Sequence, residues 1–280
     1  MFLPLLLDED IVRWLKEDIP YWDVTTSLLP ENTKDTTALI IAKQEGVIAG
    51  LPIAQRIFEF VGASFEPKVK DGDQVTKRTV IATVTGNAKV LLQAERTALD
   101  VLGRLSGIAT TTAKMVKLAQ KHNPNIRICA TRKVIPGFGK YDKYAVIVGG
   151  GDTHRFNLSD MVLLKENHLR FFRNITEAIK VAKEKTSFSK KIEVEIQNEE
   201  QAIEATKSGA DIVMLDNFSP VQAKIVTKKI RQINKKILIE LSGGITIENI
   251  ETYPLSDVDL ISSGSLTHSV KNFDLTMLVE

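Results

Sequence analysis

Ionisable and small residues recur where the short apolar runs of the second half of this chain end. Thr131-Arg132-Lys133 follows the run 126–130, Lys165 closes 161–165, Glu195 lies in 192–196 and Asp216 closes 211–216. Glu240 and Ser242-Gly243-Gly244 close the run 237–241, and Ser263-Gly264-Ser265 closes 257–263. A structural element gains nothing from so many ionisable ends, because each costs desolvation unless it is paired or solvated. Arg132, Lys133, His154, Arg155 and Lys165 make a cationic basin suited to a polyanion bearing carboxylates or phosphates. Glu195 and Asp216 are acceptors, suited to sugar hydroxyls, to a divalent metal through oxygen, or to a developing positive charge. The loop 242–244, ahead of a helix expected over 246–250, and the loop 263–265 are suited to cradling a phosphate on backbone N–H groups. Plainer readings exist: glycine pairs after strands serve turns, and His168 or His268 alone reads as a hydrogen-bonded structural residue. His154-Arg155 follows Gly149-Gly150-Gly151, where three glycines let the backbone approach a neighbour closely.

The elements that must carry these residues are β/α units, because the apolar runs alternate with helical patterns, the signature of a parallel sheet. In such barrels the reactive groups sit at the strand C-terminal ends. A weak repeat, SGADIVMLD at 208–216 and SDVDLISSG at 256–264, favours serial units closing into a barrel. An open doubly wound sheet lacks support, since neither G-x-G-x-x-G after a first strand nor G-x-x-x-x-G-K-[ST] is present. Upstream, residues 8–18 read as an amphipathic helix and TTALIIAKQEGVIAG as a strand pair with a glycine turn. A helix over 53–61 follows, and KVKDGDQVTKRTVIATVTG alternates around an Asp71-Gly72-Asp73 turn. Residues 88–120 read as one long helix with Gly103 and Gly107 as its breakers. The expected organisation is an N-terminal α+β sandwich with linking helix over 1–115 and a β/α barrel over 116–280, the C-terminal segment packing back on the first domain.

Composition narrows the function. Lys and Arg number 37 against 35 Asp and Glu, a net charge of +2, which leaves no excess for a nucleic-acid groove. Cys129 is the sole cysteine, excluding an intramolecular disulfide and a cysteine-cluster metal site. The start MFLPLLLDEDIVRW meets acids at once and has no basic leader, so it does not read as a signal peptide, and no apolar stretch reaches the roughly 20 residues of a membrane span. The expectation is a soluble, cytoplasmic protein.

Taken in order, TRK at 131–133, PGF at 136–138, KYAV at 143–146, GGG..HR at 149–155 and LKENH at 164–168 resemble the nicotinate-nucleotide pyrophosphorylase family, or quinolinate phosphoribosyltransferases. IEVEI, GADIVMLDNFSP, ELSGGITIENI and SSGSLTHSV continue the resemblance, and KQEGVIAG and ERTALDVLGRLSGIA extend it upstream. It implies a type II phosphoribosyltransferase: an N-terminal α/β sandwich and an incomplete parallel β/α barrel. The implied reaction joins quinolinate to phosphoribosyl pyrophosphate, yielding nicotinate mononucleotide, pyrophosphate and carbon dioxide for NAD synthesis. It also implies a homodimer, or an assembly of dimers, in which Arg96 of the ERT element enters the partner's site. Thr131, Arg132, Lys133, His154, Arg155 and Lys165 would surround the two carboxylates. Glu195 and Asp216 would face the ribose and the magnesium-bound pyrophosphate, and with Lys165 form the catalytic group. Ser242, Gly243, Gly244, Ser263, Gly264 and His268 would hold the phosphate end.

Departures from the family pattern flank the site: Ala130 and Val134 around TRK, Gly139 after PGF, Trp22 in PYWDVTT and Asp100 where Asn is common. The rival reading is the ModD-type pyrophosphorylase, a paralogue associated with molybdenum transport whose early motif shares the element at 19–21; LKENH, with Lys165, speaks for quinolinate. A biotinyl or lipoyl carrier would need an MKM-like turn, which is absent, and a different phosphate-handling barrel enzyme leaves TRK, HR and LKENH unexplained.

Overall fold

The structure, a computed structural model, describes residues 4–280; the first three residues of the opening apolar run lie outside the described residues. In chain order the elements are α1 (Pro4–Asp18), β1 (Asp35–Ala42), β2 (Gly46–Val47), α2 (Leu51–Phe60), β3 (Ser64–Pro67), β4 (Gln74–Val75), β5 (Val80–Asn87) and α3 (Ala88–Gln120). There follow β6 (Arg127–Cys129), α4 (Gly139–Val148), β7 (Val162–Leu164), α5 (Glu166–Leu169), α6 (Ile175–Lys185), β8 (Ile192–Ile196), α7 (Glu199–Lys207) and β9 (Ile212–Asp216). The last are α8 (Pro220–Ile233), β10 (Leu238–Ser242), β11 (Leu260–Ser262), α9 (Ser265–His268) and β12 (Leu275–Val279). Two compact units result: residues up to Thr110 with Val270–Glu280, and Thr111–Ser269. Among the described residues, no helix is long and apolar enough to cross a membrane.

The first unit is an antiparallel sheet in the order β12-β1-β5-β3. The strand pair expected within TTALIIAKQEGVIAG does not form: β1 lies between β5 and β12, whereas β2 pairs with β4. The glycine turn is diverted because Val47 and Ala49 give their N–H groups to Thr110 Oγ1 and Ser106 Oγ of α3, at 2.9 and 3.0 Å. Gly107 makes room on the same helix, since a Cβ there would strike the Lys271 carbonyl oxygen. Phe273 then donates its N–H to the Gly103 carbonyl at 2.7 Å. The two breakers of the long helix are thus where the C-terminal segment lies against it.

The second unit is a parallel six-stranded sheet in the order β6-β11-β10-β9-β8-β7. It does not close as the repeat alone suggests, because among the described residues β6 and β7 share no ladder; on its edge away from β11, β6 has an isolated bridge from Cys129 to Asp152. This is the incomplete barrel. Local chemistry sets its helices: Asn174 and Asn198 cap α6 and α7, and Ser219 with Gln222 forms a capping box ahead of Pro220 on α8. The helix expected over 246–250 is replaced by a turn and a 3-10 segment, Ile250–Thr252. There the Asn249 side chain takes the Thr246 N–H on its Oδ1, at 2.8 Å, and donates to the Gly244 carbonyl, at 2.9 Å, around a single turn closed by the Ile250 N–H on the Thr246 carbonyl.

Register then arranges the chemistry. Glu195 on β8 and Glu240 on β10 both align with Met214 of β9, and Asp216 aligns with Ser242 one level nearer the strand ends. Strand residues two apart share a face, so Glu193 lies directly below Glu195 in IEVEI.

Candidate active site

The strand C-terminal ends of the second unit surround a cavity of about 480 Å³. Of the residues singled out from sequence, Thr131, Arg132, Lys133, His154, Arg155, Lys165, Glu195, Asp216, Ser242, Gly243 and Gly244 line it. Ser263, Gly264 and His268 do not, although a Cβ at Gly264 would meet His268 Nε2 at 2.9 Å and Lys133 Cδ at 3.0 Å. Ser263 is buried, donating to the Ile245 carbonyl at 2.6 Å, and α9 is a single short turn. Arg96 belongs to the first unit, where it is exposed on α3 and pairs with Asp100 at 3.3 Å.

Sequence reasoning assigned no role to other residues that line the cavity, among them Leu163, Met214, Asn217 and Glu240, nor to Glu193 beneath. The alternation in IEVEI carried the signal for Glu193: it shares the inward face of Glu195.

Five cationic side chains face three carboxylates in this cavity: Arg132, Lys133, His154, Arg155 and Lys165 against Glu195, Asp216 and Glu240. Lys165 Nζ pairs with Glu195 Oε2, and His154 Nε2 bonds Glu240 Oε2 at 2.9 Å. Among the described residues no protein carboxylate pairs with Arg132 or Lys133, and Arg155 reaches only the Met161 carbonyl, at 3.4 Å. The surplus is positive and points to an anionic ligand. Burial, then the neighbouring Arg132, lowers the Arg155 pKa, which an anion would relieve.

His154 stands apart from the other cations. Its φ is 56°, its backbone N–H is held by Asp152 Oδ1 at 2.8 Å, and its ring turns toward two carboxylates. Burial works to lower its pKa, but Glu193 and Glu240 outweigh that and raise it to about 10. Burial first, then Glu240, raises the Glu193 carboxyl to about 7. Of the three glycines before His154, Gly151 brings the backbone against β6 rather than against a ligand: a Cβ there would lie 2.8 Å from the Ile128 carbonyl oxygen. Lys143, in the KYAV element, is fully buried and donates to the carbonyls of Thr153, at 2.8 Å, and Arg155; burial lowers its pKa to about 8.

The acidic wall is differently poised. Burial, then Glu195, raises the Asp216 pKa, against the opposing hydrogen bond from Asn217 Nδ2 at 2.7 Å. Glu195 and Asp216 are hard oxygen donors of the kind magnesium takes. Lys165 already occupies one Glu195 oxygen, so the pair fits an ion that arrives with ligands of its own. Beside them Asn217 (φ 57°) and Gly243 (φ 93°) are both left-handed and in contact, and any Cβ at Gly243 would strike the Asn217 side chain. Around Gly244 (φ 61°) the space is open. His168 Nδ1 accepts the Lys165 N–H at 3.0 Å, a structural role that holds Lys165 at its strand end. The departures Val134 and Gly139 touch each other: a Cβ at 139 would lie 2.7 Å from Val134 Cγ2, so the two are one packing change beside Arg132.

An incomplete parallel barrel with a cation-rich cavity at its strand ends defines a class of α/β enzymes for anionic substrates. Residues 108–278 match the family model described as quinolinate phosphoribosyl transferase, C-terminal domain, and residues 23–106 match that of the N-terminal domain. The chain belongs to the quinolinate phosphoribosyl transferase family. It is 42% identical over 263 residues to a probable nicotinate-nucleotide pyrophosphorylase (carboxylating) of Archaeoglobus fulgidus, with 93% of this chain and 99% of that one covered. A protein of the same description from Methanocaldococcus jannaschii is 43% identical over 268 residues, covering 94% and 93%. The crystal structure of NadC from Streptococcus pyogenes matches with a TM-score of 0.93 at 36% identity, covering 100% of this chain and 98% of that one.

Proposed function

We propose that this protein transfers the phosphoribosyl group of phosphoribosyl pyrophosphate to the ring nitrogen of quinolinate, releasing pyrophosphate and carbon dioxide and leaving nicotinate mononucleotide for NAD synthesis. The observation that carries the reading is the unanswered charge of Arg132, Lys133 and Arg155 opposite Glu195 and Asp216 in one cavity. Quinolinate has two adjacent carboxylates on a flat ring; the cations answer the carboxylates, and Leu163 and Met214 offer an apolar wall to the ring.

The chemistry follows from charge. As pyrophosphate departs, positive charge grows at ribose C1, and the carboxylates of Glu195 and Asp216 stabilise it. Lys165 holds Glu195 in place, and the cations orient the ring nitrogen toward C1, a proximity effect. Backbone N–H groups about Gly243 and Gly244 receive the phosphate end. Glu195 and Asp216 are the donors that would bear on a magnesium ion carried in with phosphoribosyl pyrophosphate, whose charge would offset that of the departing pyrophosphate. Once the nitrogen is alkylated, the pyridinium accepts the electron pair left when the adjacent carboxylate departs as carbon dioxide, and that ring carbon then takes a proton. The protein is expected to work in the cytoplasm as a homodimer, with Arg96 of one subunit completing the site of the other.

The deciding assay supplies magnesium and phosphoribosyl pyrophosphate with quinolinate in one vessel and nicotinate in another. Mononucleotide with equimolar carbon dioxide from quinolinate alone is the expected result. No product from quinolinate, from folded protein that binds phosphoribosyl pyrophosphate, would overturn the acceptor and favour the paralogue's chemistry.

A further inference from the structure

His154 Nε2 lies 2.9 Å from Glu240 Oε2 and 3.3 Å from Glu193 Oε2, with both carboxylates fully buried. Only the Glu240 contact is a hydrogen bond; both oxygens of Glu193 and the second oxygen of Glu240 have no hydrogen-bond partner among the described residues. Among the described residues no protein group takes His154 Nδ1, which is therefore the ring nitrogen left for a ligand in the cavity that His154 lines.

With Nε2–H given to Glu240, a neutral ring offers Nδ1 as a lone pair, which repels a carboxylate. The imidazolium offers Nδ1–H, which binds one. A buried carboxylate against Nε2 selects the second state. Burial opposes the ring's charge, whereas Glu193 and Glu240 favour it; nearby, Asp152 Oδ1 holds the His154 backbone N–H, Lys143 of α4 donates to the Thr153 and Arg155 carbonyls on either side, and Arg132 and Arg155 line the same cavity. Cys129 at the end of β6 stays a neutral thiol, its pKa raised by burial. Lys165 and Glu195 bond to each other, and Asp216 closes β9 in the same cavity.

We propose that Glu240 is a positioning residue that accepts a hydrogen bond from the Nε2–H of His154, so that the ring keeps both protons and meets the acceptor as a cation with Nδ1–H directed to a carboxylate. Its consequence for substrate binding rests on the quinolinate reading; its effect on the ring does not.

The test is histidine-ring NMR of the 15N-labelled protein, with the resonance assigned through His154→Asn. In the parent protein His154 is expected to remain protonated to about pH 9, and in Glu240→Gln to titrate near or below about pH 7. The KM for quinolinate of Glu240→Gln should match the parent within about twofold at about pH 6 and exceed it about tenfold at about pH 8.5, with kcat little changed. Glu240→Asp, which keeps the charge, should restore much of the difference. A ring neutral at about pH 8 in the parent, a titration unmoved by Glu240→Gln, or a KM raised equally at both pH values would overturn the proposal. So would a stoichiometric divalent ion in the purified protein that is lost with Glu240→Gln, since His154, Glu193 and Glu240 would then be its ligands. If Glu240→Gln does not fold, the titrations of the parent and Glu240→Asp decide. If the ring titrates as expected but quinolinate is not consumed, the role of Glu240 stands and the acceptor assignment fails.

Discussion

Arg132 carries a charge that no carboxylate of its own unit answers, so its partner must come with the substrate. Arg132→Ala should raise the KM for quinolinate about 10- to 100-fold, the worth of one charge-assisted bond, and change that for phosphoribosyl pyrophosphate far less; steady-state kinetics varying each substrate would check this. His154 makes a second prediction, on stability. Its pKa in the fold, about 10, stands above its ordinary value of 6.5, so its contribution is complete below about pH 6.5 and is lost as pH rises through about 10. Melting temperature should therefore fall more steeply between about pH 7 and pH 10.5 in the parent than in His154→Asn. At this scale much of the site was legible, because Arg132, Lys165, Glu195 and Asp216 stand at strand ends where a polar residue has few other reasons to be. Glu193 and Glu240 were harder to assign: an acid inside an apolar strand has meaning only when the neighbouring strands supply its partner.

At the scale of elements, α3 shows the limit of propensity. Gly103 and Gly107 weaken the helix as a helix, and their value appears only against Lys271 and Phe273, far away in sequence. Gly107→Ala improves local propensity but drives a methyl group into a backbone carbonyl; a net loss of about 1–3 kcal/mol is expected, read as a lower melting temperature and denaturation midpoint. The same contrast explains the two misread elements. Partners for β1 are set by register with β5 and β12 rather than by the nearby glycine turn. Residues 246–250 have helical composition, but only one turn closes on the Thr246 carbonyl before the chain passes into the 3-10 segment Ile250–Thr252. The β/α rhythm, by contrast, is written locally in each strand and cap, and β8 falls where its apolar run predicts.

For the whole molecule, Arg96 is the decisive residue, because it belongs to the first unit while the cavity is lined entirely by the second. If a partner supplies it, Arg96→Ala and Lys165→Ala should each be inactive alone, yet a mixture after subunit exchange should recover up to about a quarter of parent activity through hybrid dimers. No recovery after exchange verified by mass spectrometry would exclude the shared site. The strand β12 bears on how such a protein comes into being. It pairs with β1, yet it is translated after the entire second unit. While the ribosome is still making the barrel, β1 therefore presents an open edge, the kind of template on which nascent chains mispair. Newly made first units must wait for the stretch that encodes β12 before their sheet is sealed, and shielding by a chaperone during that interval would matter more for this unit than for the barrel made after it.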